Sequence, residues 1–179
     1  MCGIAGVLIS PAKTSADELS ATAAAMNTCL SHRGPDDFGS WVDPEAGVAF
    51  AHRRLAIVDL SAAGHQPMVS SDGRYVIAYN GEVYSHQTMR AELAAKGRSF
   101  RGHSDTEVML ESIADIGIEP TVKLLIGMFA IALWDRHERT LTLVRDRLGI
   151  KPLYWAKFGD VFLFGSELKA LRTHPAFRA

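Results

Sequence analysis

Position 2 is a cysteine, directly after the initiator methionine and directly before a glycine. Once Met1 is removed, Cys2 carries a thiol and a free α-amine on one Cα. An α-amine ordinarily titrates near ~7.7–8.0 and a thiol near ~8.5. At neutral pH such an amine can take the thiol's proton, and no separate histidine is needed. Gly3 lets the backbone come close to a substrate. The competing reading is a small apolar residue at a chain end, since a lone cysteine is usually packing.

The run Asn80-Gly81-Glu82-Val83-Tyr84 is the second candidate. Asn-Gly most often marks a hairpin turn. Here Tyr84-Ser85-His86 leads into a helix rather than a partner strand. At a strand end, an Asn side-chain N–H and the next backbone N–H can aim at one spot, which is an oxyanion hole. Charges also gather near strand ends: Arg53, Arg54, Asp59, Asp105, Arg145, Asp146 and Arg147. Most charges on a small domain are solvated surface. Arg54 and Asp105 are the pair suited to the carboxylate and ammonium of an amino acid, although Ser104-Asp105 also reads as a helix cap.

These residues need elements to hold them. Residues 4–9 (IAGVLI) predict a buried strand, and 17–30 a helix whose Leu19, Ala23, Met26 and Leu30 share a face. Ser31 to Asp37 is loop chemistry. Residues 48–60 predict two short strands, VAFAH and LAIVDL, and 75–79 another that ends at Asn80-Gly81. Ser85 is the expected cap of a helix over 86–96 that Gly97 ends. Ser104-x-x-Glu107 is a capping box opening a helix with Val108, Met109, Ile113 and Ile116 on its apolar face. Pro120 and Gly127 bracket a short helix. Residues 128–134 predict a strand covered on both faces. An alternating strand over 140–145, a hairpin of 153–157 with 161–165, and a helix over 166–172 complete the chain. Strands, helices, then strands predict an α+β protein: two mainly antiparallel sheets with helices outside.

Composition excludes several classes. The 179 residues are 47% hydrophobic and 22% charged, as expected of one globular domain. A net charge of −1 with no basic run offers no footprint for nucleic acid or an anionic membrane. No apolar run approaches the ~20 residues of a membrane span, and the N-terminus lacks the basic region of a signal peptide. Cys2 and Cys29 make no disulfide framework; one bridge stays open, but a reducing cytoplasm is the simpler setting. The seven histidines fall in no metal-binding spacing.

An ordered set of motifs runs the length of the chain: Met1-Cys2-Gly3-Ile4-Ala5-Gly6, Ser31-His32-Arg33-Gly34-Pro35-Asp36, His52-Arg53-Arg54-Leu55-Ala56-Ile57-Val58-Asp59, Gln66-Pro67, Tyr79-Asn80-Gly81-Glu82-Val83-Tyr84, Ser104-Asp105-Thr106-Glu107, Gly127-Met128-Phe129-Ala130, Arg145 to Tyr154, and Ser166 to Leu171. With them the sequence resembles the glutaminase domain of class II glutamine amidotransferases, in the glutamine-hydrolysing asparagine synthetase branch. The resemblance implies an N-terminal-nucleophile hydrolase fold, a four-layer αββα sandwich, over residues 1–179 as a single domain. It implies that Cys2 attacks the side-chain amide of L-glutamine once Met1 is gone, so that the chain written with Met1 is a precursor. It gives Asn80 and Gly81 the oxyanion, Arg54 the substrate carboxylate, and Asp105 with the Gly81–Glu82 segment the ammonium. Backbone groups near Leu55, Ile57 and Val58 would line the pocket. No metal or organic cofactor is expected here. The family's S-G-G-x-D-S phosphate loop is absent, so ATP and Mg belong to a synthetase domain supplied in cis or in trans. Two alternatives stand beside this. One is another ammonia acceptor, such as a sugar, a phosphoribosyl group or a peptide. One is a non-catalytic glutamine-binding module. A homodimer is also left open.

Overall fold

The chain's first strand, β1 (Gly3–Ile9), is buried on both faces, as its unbroken apolar run requires. The computed structural model to which it belongs describes residues 1–10, 14–57 and 59–177. Val58 therefore lies outside the described residues. After α1 (Ala16–Cys29) come β2 (Asp37–Asp43) and β3 (Val48–Arg54), then β4 (Met68–Val69) and β5 (Tyr75–Val83). Three helices follow, α2 (His86–Ala95), α3 (Asp105–Ile116) and α4 (Ile118–Leu124). The chain closes with β6 (Gly127–Asp135), β7 (Thr140–Arg145), β8 (Tyr154–Phe158), β9 (Val161–Gly165) and α5 (Leu168–Leu171).

The strands make two antiparallel sheets, ordered β2-β3-β1-β9-β8 and β4-β5-β6-β7. Alternation along each strand divides its side chains between two layers. On the first sheet, Ala5, Val7, Ala49 and Ala51 face outward onto Leu19, Ala23, Met26 and Leu30 of the α1 region and Ala170 and Leu171 of α5. On the second, Ile77, Tyr79, Ile131 and Leu133 face Met89 and Leu93 of α2 and Val108, Met109 and Ile113 of α3. The inward faces meet each other through Ile4, Val48, Phe50, Val76, Ala78, Ala130, Ala132, Trp134 and Phe164. The result is the expected four-layer αββα order. Trp134, Phe50 and Phe164 are the largest fully buried side chains in the central layer, each contributing roughly 1.5–3 kcal/mol by burial.

The helix starts follow local chemistry. Ser15 and Glu18 close a reciprocal capping box on α1. Ser104 accepts from the Glu107 N–H as predicted, but the Glu107 carboxylate accepts from Arg101 N and Gly102 N, so only half a box forms. Ser85 does not cap α2 with its side chain; its hydroxyl donates to Leu124 O and accepts from Ile126 N, tying α4 to the end of β5. Ile116 of the expected apolar face is 39% exposed, because the helix turns out of the layer at its last residue.

Three strand expectations also change. The described residues of 55–60 form no strand: the Arg54 guanidinium donates to the Asp59 and Ser61 carbonyls, which face it rather than a neighbouring strand. Asn80 and Gly81 neither turn nor end a strand, since β5 continues through them to Val83, paired with β6. β2 lies where a loop and unassigned sequence were expected, recruited by the full length of β3.

Candidate active site

Three apolar rows of the central layer turn polar at the same end of the sandwich. On β3 the inward row Val48, Phe50 continues as His52, Arg54; on β5 the row Val76, Ala78 continues as Asn80, Glu82. On β1 the inward residue is Ile4, and stepping back two residues puts Cys2 on the same side. The pairing Gly3↔Arg53 sets the start of β1 against the end of β3. One cavity of about 90 Å³ results, lined by Cys2, Arg54, Leu55, Ile57, Asn80, Gly81, Glu82 and Asp105. Every described residue predicted for the site borders it. Of the other charges singled out, Asp59 also lines the cavity. Arg53 instead binds Asn27 O and stacks over Phe38, while Arg145 and Asp146 brace their own loop.

The Cys2 thiol sits against the backbone of Leu55: Sγ accepts from Leu55 N at 3.3 Å and lies 3.6 Å from Leu55 O. Arg33 Nε donates to the Cys2 carbonyl at 2.9 Å. Asn80 is 1% exposed, and its Nδ2 has no hydrogen-bond partner among the described residues. A buried amide donor left unmade costs about 1–3 kcal/mol, so an unused Nδ2 lining a cavity marks a place for an acceptor.

The register supplies a second donor. Opposite Gly81 stands Phe129, whose N–H and C=O both bond Asp146 on the far side. In an antiparallel ladder the N–H and C=O of one residue point the same way, and those of the residue opposite point the other way. The Gly81 N–H is thus directed off the open edge of β5, beyond the last β4 pairing at Met68↔Ile77. Its neighbours along that edge are occupied: Tyr79 N donates to Gln66 Oε1 and Val83 N to Asp105 Oδ2. A Cβ at Gly81 would strike Met128 O and the Phe129 backbone, so only glycine fits.

Arg54 is fixed as a fork by the carbonyls of Asp59 and Ser61, and a Cβ at Gly64 would collide with its guanidinium. Asp59 is held at about pKa 2 chiefly by the Ser61 hydroxyl and the His103 N–H, so it stays ionised and keeps this loop closed. Asp105 accepts from Tyr79 Oη at 2.7 Å, Val83 N at 2.9 Å and Thr106 N at 2.9 Å. Burial, then Asp105, pushes the Tyr79 phenol well up, which keeps it a donor. Beneath the cavity His52 is held neutral by burial, with a pKa lowered to about 4. Its Nε2 donates to Tyr79 O at 3.0 Å and ties the two sheets together.

Sequence reasoning missed Gly64, Gln66, Tyr79, Thr106 and Lys151 as cavity-lining residues. Their roles depend on register and loop closure, which leave no signal in spacing. Among the described residues no group of three or more side chains could hold a metal ion, and no helix is long and apolar enough to cross a membrane. The cavity thus combines a thiol, an unpartnered amide donor, a strand-edge N–H, a cationic fork and carboxylates, a set able to bind an amino acid and attack a carbonyl carbon on it.

Comparison with known proteins gives a consistent picture. Residues 1–179 match a family model described as a glutamine amidotransferase domain. The chain is 44% identical over 181 residues to the glutamine-hydrolysing asparagine synthetase 3 of Bacillus subtilis, covering 100% of this chain and 28% of that protein. It is 40% identical over 173 residues to asparagine synthetase B of Escherichia coli, covering 96% of this chain and 30% of the relative. An amidase, chry2 of Gibberella zeae, is 34% identical over 95% of this chain and 26% of its own length. The chain thus spans about a third or less of these relatives. The solved glutamine phosphoribosylpyrophosphate amidotransferase of B. subtilis superposes with a TM-score of 0.78 at 20% identity, over 96% of this chain and 43% of that one, a likeness of fold.

Proposed function

The chain belongs to the glutamine amidotransferase domain family, and we propose that it hydrolyses L-glutamine to L-glutamate and ammonia through a thioester on Cys2. Removal of Met1 frees the Cys2 amine. That amine takes the thiol proton, and the sulfur attacks the side-chain amide carbon of glutamine. Asn80 Nδ2 and the Gly81 N–H receive the oxyanion, a contribution worth about 3–4 kcal/mol per donor. The protonated amine then gives its proton to the departing nitrogen, and ammonia leaves. Water, deprotonated by the same amine, attacks the thioester and releases glutamate. Arg54 receives the substrate carboxylate as a planar fork, and Asp105 with Glu82 receives its ammonium.

The observation that carries this reading is the unpartnered Nδ2 of buried Asn80, in the same cavity as Cys2. The relatives named as asparagine synthetases support an ATP-dependent synthetase domain, in cis or in trans, as the consumer of the ammonia. ATP and Mg would act there. The test is a glutaminase assay on chain freed of Met1, on chain retaining it, and on Cys2→Ala. The reading expects activity only in the first; equal activity with Met1 retained removes the mechanism.

A further inference from the structure

Cys2 precedes the first residue of β1, so no strand pairing holds it. What holds its main chain is Arg33, and Arg33 is anchored from the other end of the sequence. Arg33 Nε donates to Cys2 O at 2.9 Å, and the second arm of the same guanidinium, Nη1, bonds Glu167 Oε1 at 2.9 Å. The adjacent Ser166 grips the next inward residue of β1: its hydroxyl accepts from Ile4 N at 3.0 Å and its N–H donates to Ile4 O at 2.8 Å. Two consecutive residues just before α5 thus fix the start of β1 and, through one arginine, the nucleophile's carbonyl.

The Arg33 side chain is only 9% exposed, and Glu167 is the one carboxylate within ion-pair distance of it among the described residues. A buried guanidinium is strongly destabilised when its single counter-charge is removed. Glu167 meets that need in ionised form. Burial raises its pKa, but the bonds from Arg33, His32 and Lys169 outweigh this and hold it at about 2. Its side chain is three-quarters covered and is shared with His32 Nε2 at 2.8 Å and Lys169 Nζ at 3.2 Å. Arg33 and Glu167 lie outside the residues that line the substrate cavity, so neither is needed to bind glutamine.

We propose that Glu167 is a positioning residue for the nucleophile: by anchoring Arg33 it fixes the Cys2 carbonyl, and with it the directions of the thiol and amine on the same Cα. The proposal rests on the reading of Cys2 as nucleophile. Misplacing a reacting group by about 1 Å can cost roughly 100-fold in rate. Glu167→Ala therefore lowers kcat for glutamine hydrolysis by about 10- to 100-fold, while KM stays within about 3-fold because Arg54 and Asp105 are untouched.

Two measurements on the Met1-free chain test this. The first is the split between kcat and KM in Glu167→Ala, Glu167→Gln and Glu167→Asp. The second is the rate of Cys2 alkylation by iodoacetamide, followed by mass spectrometry, which needs no glutamine turnover. Alkylation is expected to slow in Glu167→Ala in step with kcat. Glu167→Gln, which keeps an acceptor for Arg33, falls between Ala and wild type and serves if the alanine variant does not fold. Lys169→Ala, which removes only the outer ion pair, leaves both rates within about 2-fold. Wild-type kcat and alkylation rate in a folded Ala or Gln variant overturn the proposal, as does a loss confined to KM. If the wild-type chain hydrolyses no glutamine, the functional reading fails while the alkylation series still decides this one.

Discussion

The two ends of the central layer carry very different cavities. At the end remote from Cys2, the turns after β2, before β5 and after β6 enclose a groove of about 660 Å³; the cavity around Cys2 is about 90 Å³. The large groove is chemically closed. Asp72 accepts from Ser70 Oγ and Arg74 N, Arg136 donates to Gly73 O, and Arg139 donates to Glu45 O. The small cavity holds a thiol, a buried amide donor without a partner, and a strand-edge N–H directed off the ladder. Room is therefore a poor guide to chemistry in this molecule; an unmade donor that also borders a cavity is a better one, since the other unpartnered buried atoms, such as Trp134 Nε1 and Arg90 Nη1, line neither cavity. Strand β5 shows the same contrast within one element. Its first half pairs with both β4 and β6, and its second half, from Tyr79 on, pairs with β6 alone. The site begins where the second ladder stops.

Substitutions at the two ends can break or sharpen that contrast. The largest effect is expected for Asn80→Ala, which removes one of the two proposed oxyanion donors. kcat should fall about 100- to 1,000-fold with a much smaller change in KM, measured by steady-state glutaminase assay. A comparable kcat would mean that the unpartnered amide is not functional. Gly81→Ala comes next: its Cβ meets the β6 backbone, so the strand must shift. A stability loss of about 1–3 kcal/mol in urea unfolding is expected, with a fall in kcat.

The third effect is one of pH. His52 has a folded pKa of about 4 against an ordinary 6.5. Between those values the unfolded chain binds a proton that the folded chain refuses, so stability declines as pH falls from 6.5 towards 4. The integrated loss is on the order of 3 kcal/mol. Urea midpoints at pH 7 and pH 5 should differ in wild type and differ less in His52→Gln; an identical pH dependence contradicts the assignment. The smallest effect belongs to the far end. Arg136→Ala, an exposed bond to a carbonyl, should leave kcat unchanged and stability within about 0.5 kcal/mol. A large loss of activity there would erase the distinction between the ends.

The legible part of this architecture was whatever local hydrophobic patterning encodes. Ile4 to Ile9, Val48 to His52 and Met128 to Trp134 announce strands because both their faces are covered, and Leu19, Ala23, Met26 and Leu30 announce a helix face. The motifs from Cys2 to Asp105 named, through resemblance, residues that border one cavity. Long-range pairing was hidden. Leu55 to Leu60 has strand composition, yet Ile57 is 61% and Leu60 80% exposed, and the Asp59 and Ser61 carbonyls bond the Arg54 guanidinium instead of a strand. Asn80-Gly81 has turn composition, yet nine consecutive pairs with β6 keep it in a strand. Gln66 and Tyr79 entered the site through a side-chain bond across 13 positions. Glu167 reached the Cys2 carbonyl through an arginine 134 positions away. No local pattern carries either connection.

The central claim is that the sulfur of the processed terminal cysteine bonds directly to the substrate. Rapid quenching of Met1-free chain during glutamine turnover, followed by peptide mass spectrometry, tests it most directly. The account predicts a γ-glutamyl adduct on the peptide that begins at Cys2, absent from Cys2→Ala and scarce in Asn80→Ala. Steady turnover with no adduct at that residue, or with the adduct on another side chain, would contradict it.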